Sequence, residues 1–506
     1  MTLFVVFVFA FFGMGARLFM LQIVDAPAYA QRALDQRQRE ISFPARRGAV
    51  FDRNGEPLAI SVDLHTVFAD PAHVADPRAG ARKLGRILDQ SPSAIEAALR
   101  GREPGDRFEY LARQVEPDVA RKVRALDLPG VYLEGEPKRY YPGGRLASHL
   151  LGFADIDGKG VSGIELQYDR VLQGTPGKMV LEQDPMGRPL PQARFEHVPA
   201  DPGRSLLLTI DKDIQYFTQL TLAQAAERYG ATAGSAIVMR PASGEILALA
   251  NVPDYDPNRA GDFDAEAQRN RALTDVYEPG SAYKIVTAAA ALEEGIVTPR
   301  TGFVVADSQQ IADRVIHDSH AHATEQMTVR SIIEQSSNVG TVQIGIRVGK
   351  DLLDEYIRRF GFGTETGLDF PGETAGIVIA KDDWSGSTIG TVPIGQGVAV
   401  TVLQVASAYA TLANGGVWVE PKLVSATMNH GGGLEQTAPA ARRRVVSGRT
   451  ARQMASILAG VVARGTGIEA QIPGYEVAGK TGTAQKPVDG GGYGDTYVAS
   501  FGGFAP

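Results

Sequence analysis

The chain has 506 residues, more than one hydrophobic core usually organises, so two or more domains are expected. A formal net charge of -7 excludes a general nucleic-acid binder, which needs clustered Lys and Arg to displace counterions from phosphates. The chain has no cysteine, which excludes disulfides, thiol nucleophiles and Cys-ligated metal centres, so any nucleophile carries oxygen or nitrogen.

Leu3 to Val24 is apolar except for Arg17 and Gln22. At a helical rise this run spans about 33 Å, one hydrocarbon core, so residues 1–24 read as a retained transmembrane anchor, with Arg17 placed to snorkel toward the headgroups. A cleaved signal peptide is the competing reading, because Ala28-Tyr29-Ala30 resembles a small-residue cleavage site; no positively charged segment precedes the apolar run. Residues 25–203 are polar, with short strand-like runs and turn signals such as Arg53-Asn54-Gly55 and Tyr141-Pro142-Gly143-Gly144, and read as an irregular β-rich module. Within it, Leu84, Ile87, Leu88, Ile95 and Leu99 recur near a helical period between Ala79 and Arg102.

A boundary falls at Asp201-Pro202-Gly203, and residues 204–506 read as a second domain of α/β type. Ser205 to Ile210 is a short apolar run, and Asp211 to Arg228 reads as an amphipathic helix. Ser235 to Met239 and Glu245 to Ala250, separated by turn residues, carry a β-hairpin signature. Helices are expected over Gly280 to Glu294, Val329 to Ser336, Asp351 to Phe360 and Thr401 to Ala413. A strand is expected over Glu476 to Gln485, with a Gly-rich loop from Asp489 to Gly494.

Three elements of this second domain carry chemistry. Ser281-Ala282-Tyr283-Lys284 sets a hydroxyl and an amine three positions apart at the start of a helix, hence on one face. The helix dipole there favours a developing negative charge, and a neutral amine is placed to take the serine proton. By itself the spacing is common, and a helix cap beside a solvated lysine explains it as well. Ser336-Ser337-Asn338, at the end of a predicted helix, offers a hydroxyl and an amide to relay a proton and hold a substrate amide; a plain helix C-terminal turn is the alternative. Lys480-Thr481-Gly482-Thr483 lies on a predicted strand. There a lysine and two hydroxyls suit a substrate carboxylate, and Gly482 lets a peptide backbone approach closely.

In this order and on these elements the three motifs resemble the serine penicillin-binding proteins and β-lactamases. The longer context is similar to the class B penicillin-binding proteins of the division-specific (septal) type. Arg46 to Gly55 reads like that family's opening motif in its pedestal, Tyr140-Tyr141-Pro142 with Ala147 to Gly152 and Gly163-Ile164-Glu165 like its second, and Arg271 to Gly280 leads into the serine as in division-type members. The resemblance covers nearly the whole chain. It implies an N-terminal transmembrane helix, a non-catalytic β-rich pedestal (dimerisation-type) domain over 25–203, and over 204–506 a transpeptidase domain with an antiparallel sheet flanked by helices, α/β (α+β) in class.

The activity implied is that of a peptidoglycan D,D-transpeptidase. Ser281 would be the acylated nucleophile and Lys284 its general base; Ser336 and Asn338 would complete the proton network and position the donor peptide. Lys480, Thr481, Gly482 and Thr483 would bind substrate, and the N–H groups of Ser281 and Thr483 would form the oxyanion hole. Implied partners are peptidoglycan stem peptides, β-lactam antibiotics, the membrane through the N-terminal helix, a glycosyltransferase and other division proteins. No cofactor, metal or nucleic acid is implied, and the catalytic domain is expected on the periplasmic or extracellular face of the cytoplasmic membrane. Family members commonly carry Thr after the nucleophile; Ala282 at that place is expected to be tolerated, because the side chain need not touch substrate.

Other readings compete. Gly474 to Thr481 satisfies the phosphate-loop pattern G-x-x-x-x-G-K-S/T, but such a loop opens a helix, whereas Gly482 and Thr483 here continue a strand. His317, His320 and His322 form a cluster with metal-binding potential, expected instead in a solvated loop before the helix that bears Ser336. A carboxypeptidase or β-lactamase would use water as acceptor, and the pedestal and anchor favour the transpeptidase. A non-catalytic division scaffold is a third class, for which Ser281→Ala would keep the biological role. Asn338 favours the septal over the elongation role, since elongation-type relatives often carry Asp there. Finally, the sequence stops at Phe504-Ala505-Pro506, where family members continue into a strand beside Ser235 to Met239 and a terminal helix. The expectation is a chain lacking those elements and unstable or inactive alone. A cooperative melting curve together with penicillin labelling of this chain would contradict it.

Overall fold

The computed structural model describes residues 1–27, 29, 38–101, 103, 106–182, 196–488 and 492–506. Ala28 and Ala30 of the cleavage-site pattern, Arg102 at the end of the helical patch, and residues 489–491 of the Gly-rich loop lie outside the described residues. At the N-terminus Leu3–Val24 is a helix of 22 residues with mean hydropathy 2.2, none of whose apolar window is buried, so it is long and apolar enough to cross a membrane. Its α-helical part, Thr2–Phe19, runs on into one π-helical turn, Met20–Val24.

The rest of the fold is mixed α/β, and the chain divides into two units: residues 1–48, 61–138 and 173–204 form one, and 49–60, 139–172 and 205–506 the other. Two stretches of the pedestal segment therefore pack with the C-terminal half. In the first unit the helical patch is two helices, Pro77–Leu88 and Pro92–Arg100, each with proline in its first turn and a side-chain cap from Asp76 or Ser91. Asp89, in the left-handed region at φ 52°, separates them. Their apolar faces enclose Leu84, Ile95 and Leu99 with Val67 and Leu111.

In the second unit, strand Ser205–Leu208 pairs in parallel with Val50–Phe51 and antiparallel with Val424–Met428. Beside it Asp52, fully buried, accepts hydrogen bonds from the N–H groups of Asn54, Glu56 and Lys212, which explains the tight turn at Arg53-Asn54-Gly55. The second pedestal motif buries an ion pair: Arg139 Nε donates to Glu165 Oε1 at 2.6 Å, with side-chain exposures of 3% and 0%, and Tyr141 Oη donates to the same oxygen at 3.4 Å.

Helix α1 (Lys212–Tyr229) is capped by Asp211, which accepts from the N–H groups of Asp213 and Ile214, and it is closed by Gly230. The structure corrects the amphipathic reading. The buried residue of α1 is Gln215, whose amide bonds both the N–H and the C=O of Leu249, while Tyr216, Phe217 and Tyr229 are exposed. Apolar periodicity marks a face that gains from cover, and among the described residues that face is not covered.

Strands β1 (Gly234–Met239) and β2 (Ile246–Val252) form the expected antiparallel hairpin. Helix α2 (Lys284–Glu293) is buried from Lys284 through Leu292, and a helix apolar all round requires neighbours on every side. Helix α3 (Val329–Glu334), helix α4 (Asn338–Val348), the helix Lys350–Arg359 and, later in the chain, α5 (Val402–Ala413) and α6 (Gly448–Arg464) build that surround; α2 packs directly on α3, α4, Lys350–Arg359 and α6. Strands β3 (Ala478–Pro487) and β4 (Tyr493–Phe504) are antiparallel from Ala478↔Phe504 to Pro487↔Tyr493. Where one antiparallel sheet was expected, β1–β2 and β3–β4 are separate two-stranded ladders, because no backbone hydrogen bonds join β1 to β4 among the described residues; α5 packs against both.

The buried ion pair gives a stability prediction. Glu165→Ala leaves the Arg139 guanidinium without this carboxylate in a dry site, and should cost about 3–5 kcal/mol. Chemical denaturation that shows an unchanged midpoint would contradict it.

Candidate active site

Gly280–Tyr283 is a single 3-10 turn that leads directly into α2, so Ser281 stands on the turn and Lys284 is the first residue of the helix. The turn is gripped from several sides. Gly280 has φ +51°, and a Cβ there would lie 2.6 Å from the Thr483 carbonyl oxygen of β3. At Gly482 a Cβ would lie 2.7 Å from the Pro279 carbonyl oxygen and 3.0 Å from the Ala282 Cβ. Gly482 thus lets β3 approach the turn itself. Tyr409 Oη, from α5, donates to the Ala282 carbonyl at 2.8 Å. Ala282 is buried against β3, in keeping with a side chain directed away from substrate.

Two of the sequence-predicted residues, Lys284 and Lys480, meet at the hydroxyl of a third, Ser336. Lys284, fully buried, donates from Nζ to the Ser336 carbonyl at 2.6 Å, Asn338 Oδ1 at 2.7 Å and Ser336 Oγ at 3.3 Å. Lys480, also buried, donates to the same Ser336 Oγ at 2.9 Å, to the Thr481 carbonyl at 3.2 Å and to Thr466 Oγ1 at 3.4 Å. Ser336 sits between α3 and α4 with φ +64°, the left-handed region that a non-glycine residue seldom occupies. The helix expected to run to Ser336 therefore ends at Glu334, and Asn338 opens the next one. Ser281 Oγ makes no hydrogen bond among the described residues, which leaves the hydroxyl open to a ligand. Thr483 is exposed, and Thr481 Oγ1 bonds Thr466 Oγ1 at 3.0 Å.

Electrostatics separates the two amines. Burial, with the nearby Lys480 charge adding to it, holds Lys284 well below the usual lysine range, and Asp318 opposes the shift. Burial alone brings Lys480 down to about 8. Both shifts favour the neutral amine; with its value near 8, Lys480 is still largely an ammonium at neutral pH.

Three supports were not legible in the sequence. Asp318 Oδ1 accepts from the N–H groups of Asn338 and Val339 at the start of α4. Glu334, at the end of α3, pairs with Arg464 of α6, and its carbonyl accepts from Thr466 N–H at 3.3 Å. Thr466 in turn meets Lys480 and Thr481, so Ser336 and β3 are tied through a second route. Each support joins residues far apart in the chain, and no local spacing marks them.

The competing site readings fare differently. Lys480 and Thr481 lie inside strand β3, with no helix opening after them, so the phosphate-loop geometry is not formed. His317 ends a short strand and His322 contacts Asp318, and among the described residues no group of three His, Asp or Glu side chains is placed to hold a metal ion.

Comparison with known proteins agrees with this geometry. Residues 234–506 match the family described as penicillin binding protein transpeptidase domain, and residues 42–208 the penicillin-binding protein dimerisation domain. The chain is 34% identical to penicillin-binding protein PbpB of Mycolicibacterium smegmatis, over 97% of this chain and 81% of that one. It is 34% identical to stage V sporulation protein D of Bacillus subtilis, over 99% and 78%. The crystal structure of penicillin binding protein 3 from Mycobacterium tuberculosis, complexed with aztreonam, superposes with a TM-score of 0.73 at 33% identity, over 92% of this chain and 88% of that one.

The approach of β3 to the Ser281 turn is testable. Gly482→Ala forces a Cβ to within 2.4 Å of Ser500 Oγ as well as onto Pro279 and Ala282. The substitution should destabilise the protein by about 1–3 kcal/mol, read as a lower denaturation midpoint. An unchanged midpoint would mean that strand and turn separate freely.

Proposed function

The chain belongs to the class B penicillin-binding proteins, the peptidoglycan D,D-transpeptidases, and from that premise we propose that it cross-links stem peptides during septal wall synthesis, with Ser281 as its acylated residue. The observation that carries the assignment is that Lys284, the first residue of α2 and three residues after Ser281, donates to Ser336 and Asn338, while Lys480 donates to the same Ser336 hydroxyl.

In the first half-reaction Ser281 Oγ attacks the carbonyl carbon of the penultimate D-Ala, and its proton passes to the neutral Lys284 amine. The N–H groups of Ser281 and Thr483 hold the oxyanion. The C–N bond to the terminal D-Ala then breaks. The leaving nitrogen takes a proton delivered through Ser336, whose hydroxyl touches both lysines, and an ester on Ser281 remains. Lys480, Thr481 and Thr483 bind the donor's terminal carboxylate, and Asn338 orients its amide. In the second half-reaction the amine of a neighbouring stem attacks the ester and gives up a proton, and Ser281 leaves with its hydrogen restored.

A β-lactam follows the first half-reaction only: its ring C–N bond opens, but the amine stays tethered and blocks the acceptor. The N-terminal helix anchors the enzyme in the cytoplasmic membrane, with the catalytic unit outside, where a glycosyltransferase and other division proteins would supply nascent glycan. Asn338 supports the septal role over elongation. The likeness to a sporulation protein keeps a sporulation-specific septum as a second reading.

Labelling with a fluorescent penicillin tests the assignment. The wild-type protein should form a covalent adduct and Ser281→Ala should not, with mass spectrometry placing the adduct on the peptide that contains residue 281. Equal labelling of both would overturn it. Depletion in the native host should block septation and leave elongation running; rounded cells would point to elongation instead.

A further inference from the structure

The histidine cluster has no part in the chemistry above, and one of its members touches the site from behind. Between His317 and His322 lies Asp318, with a side-chain exposure of 7%. Its Oδ1 accepts from the Asn338 and Val339 N–H groups, and its Oδ2 lies 3.1 Å from His322 Nε2. Asn338 also donates from Nδ2 to the His317 carbonyl at 2.8 Å, which fixes Oδ1 as the face it turns to Lys284 at 2.7 Å. An aspartate at the first turn of α4 thus holds both the backbone and, through the adjacent carbonyl, the side chain of the asparagine that meets the general base.

We propose that Asp318, anchored by His322, is a positioning residue of the transpeptidase reaction: it fixes Asn338 against Lys284 and sets a negative charge behind the base. The proposal rests on the reading of Ser281 as nucleophile and Lys284 as base.

The His322 ring supports the anchoring role. Nδ1 lies 2.9 Å from the Ala323 carbonyl and Nε2 faces the Asp318 carboxylate, so both partners are acceptors and both ring nitrogens must donate, as only the imidazolium does. Those two contacts hold the His322 pKa above its ordinary value, the Ala323 carbonyl first. The charged groups facing Lys284 are Lys480 from β3 and Asp318 from the loop before α3; those facing the Asp318–His322 pair include Glu325, 3.6 Å from His322 Nδ1. Asp318 is the negative member of the set around Lys284, and its charge favours the protonated amine. Removing that charge makes Lys284 lose its proton at lower pH, so the acid limb of the acylation profile moves down in pH.

The experiment measures the rate of fluorescent-penicillin acylation from pH 5 to 9, a range of about two units either side of neutrality, on the full chain and on Asp318→Asn, His322→Ala and Ser281→Ala. Asp318→Asn should label about tenfold more slowly at neutral pH, from loss of positioning, with its acid limb moved to lower pH. His322→Ala should slow labelling by a smaller factor, about threefold, from loss of the anchor. A wild-type rate and profile in Asp318→Asn overturns the proposal. So does a rate lowered at every pH with an unmoved limb, which would make Asp318 a structural residue alone. If Asp318→Asn does not fold, His322→Ala decides: a folded variant that labels at the wild-type rate overturns the pair's role. Labelling that persists in Ser281→Ala instead overturns the underlying assignment, a result that none of the Asp318 outcomes mimics.

Discussion

Two lysine amines reach one serine hydroxyl inside a desolvated pocket, and the rest of the catalytic unit is arranged around that constraint. Burial disfavours the charged form of both amines, and the nearby Lys480 charge adds to that effect at Lys284. Burial weakens the hold of both amines on their protons, and on the proposed reading Lys284 serves as the base and Lys480 as the cation that attracts a carboxylate. On that reading a pair of chemically identical side chains takes two roles, as paired carboxylates do in other enzymes. Ser336 stands between them, its hydroxyl within hydrogen-bond reach of both amines.

Keeping Ser336 there is a problem of packing between distant segments. Helix α2 delivers Lys284 from the centre of the unit, the break between α3 and α4 delivers Ser336 and Asn338, and β3 delivers Lys480. Close approach at Gly482 fixes β3 to the Ser281 turn, and the Glu334–Arg464 pair with Thr466 fixes it to the end of α3. Protein interiors are dense enough that such contacts have discrete arrangements, so the supports position the site more strictly than their individual energies suggest.

The local elements were legible because each is written in a single period or punctuation mark: the apolar run of the anchor, the hairpin at Ser235 to Ala250, the helix after Gly280, the strand around Lys480. The motifs were legible because their order and elements agreed with one family. What lay beyond the sequence was pairing at a distance. Nothing in the spacing of Asp318 or Glu334 announces a partner on another element, and the outward aromatics of α1 have the same period as an inward face.

Ser336 also bears on how this site would fare under different selections. Its left-handed backbone is strained for a residue with a Cβ, by about 1–3 kcal/mol, and glycine would adopt it without strain. A library of variants screened only for foldedness should therefore drift toward glycine at 336, while one screened for acylation should hold the serine. The position is an address where fitness for folding and, on the proposed reading, for chemistry point in opposite directions, and a stability-guided redesign would put at risk the hydroxyl that touches both lysines.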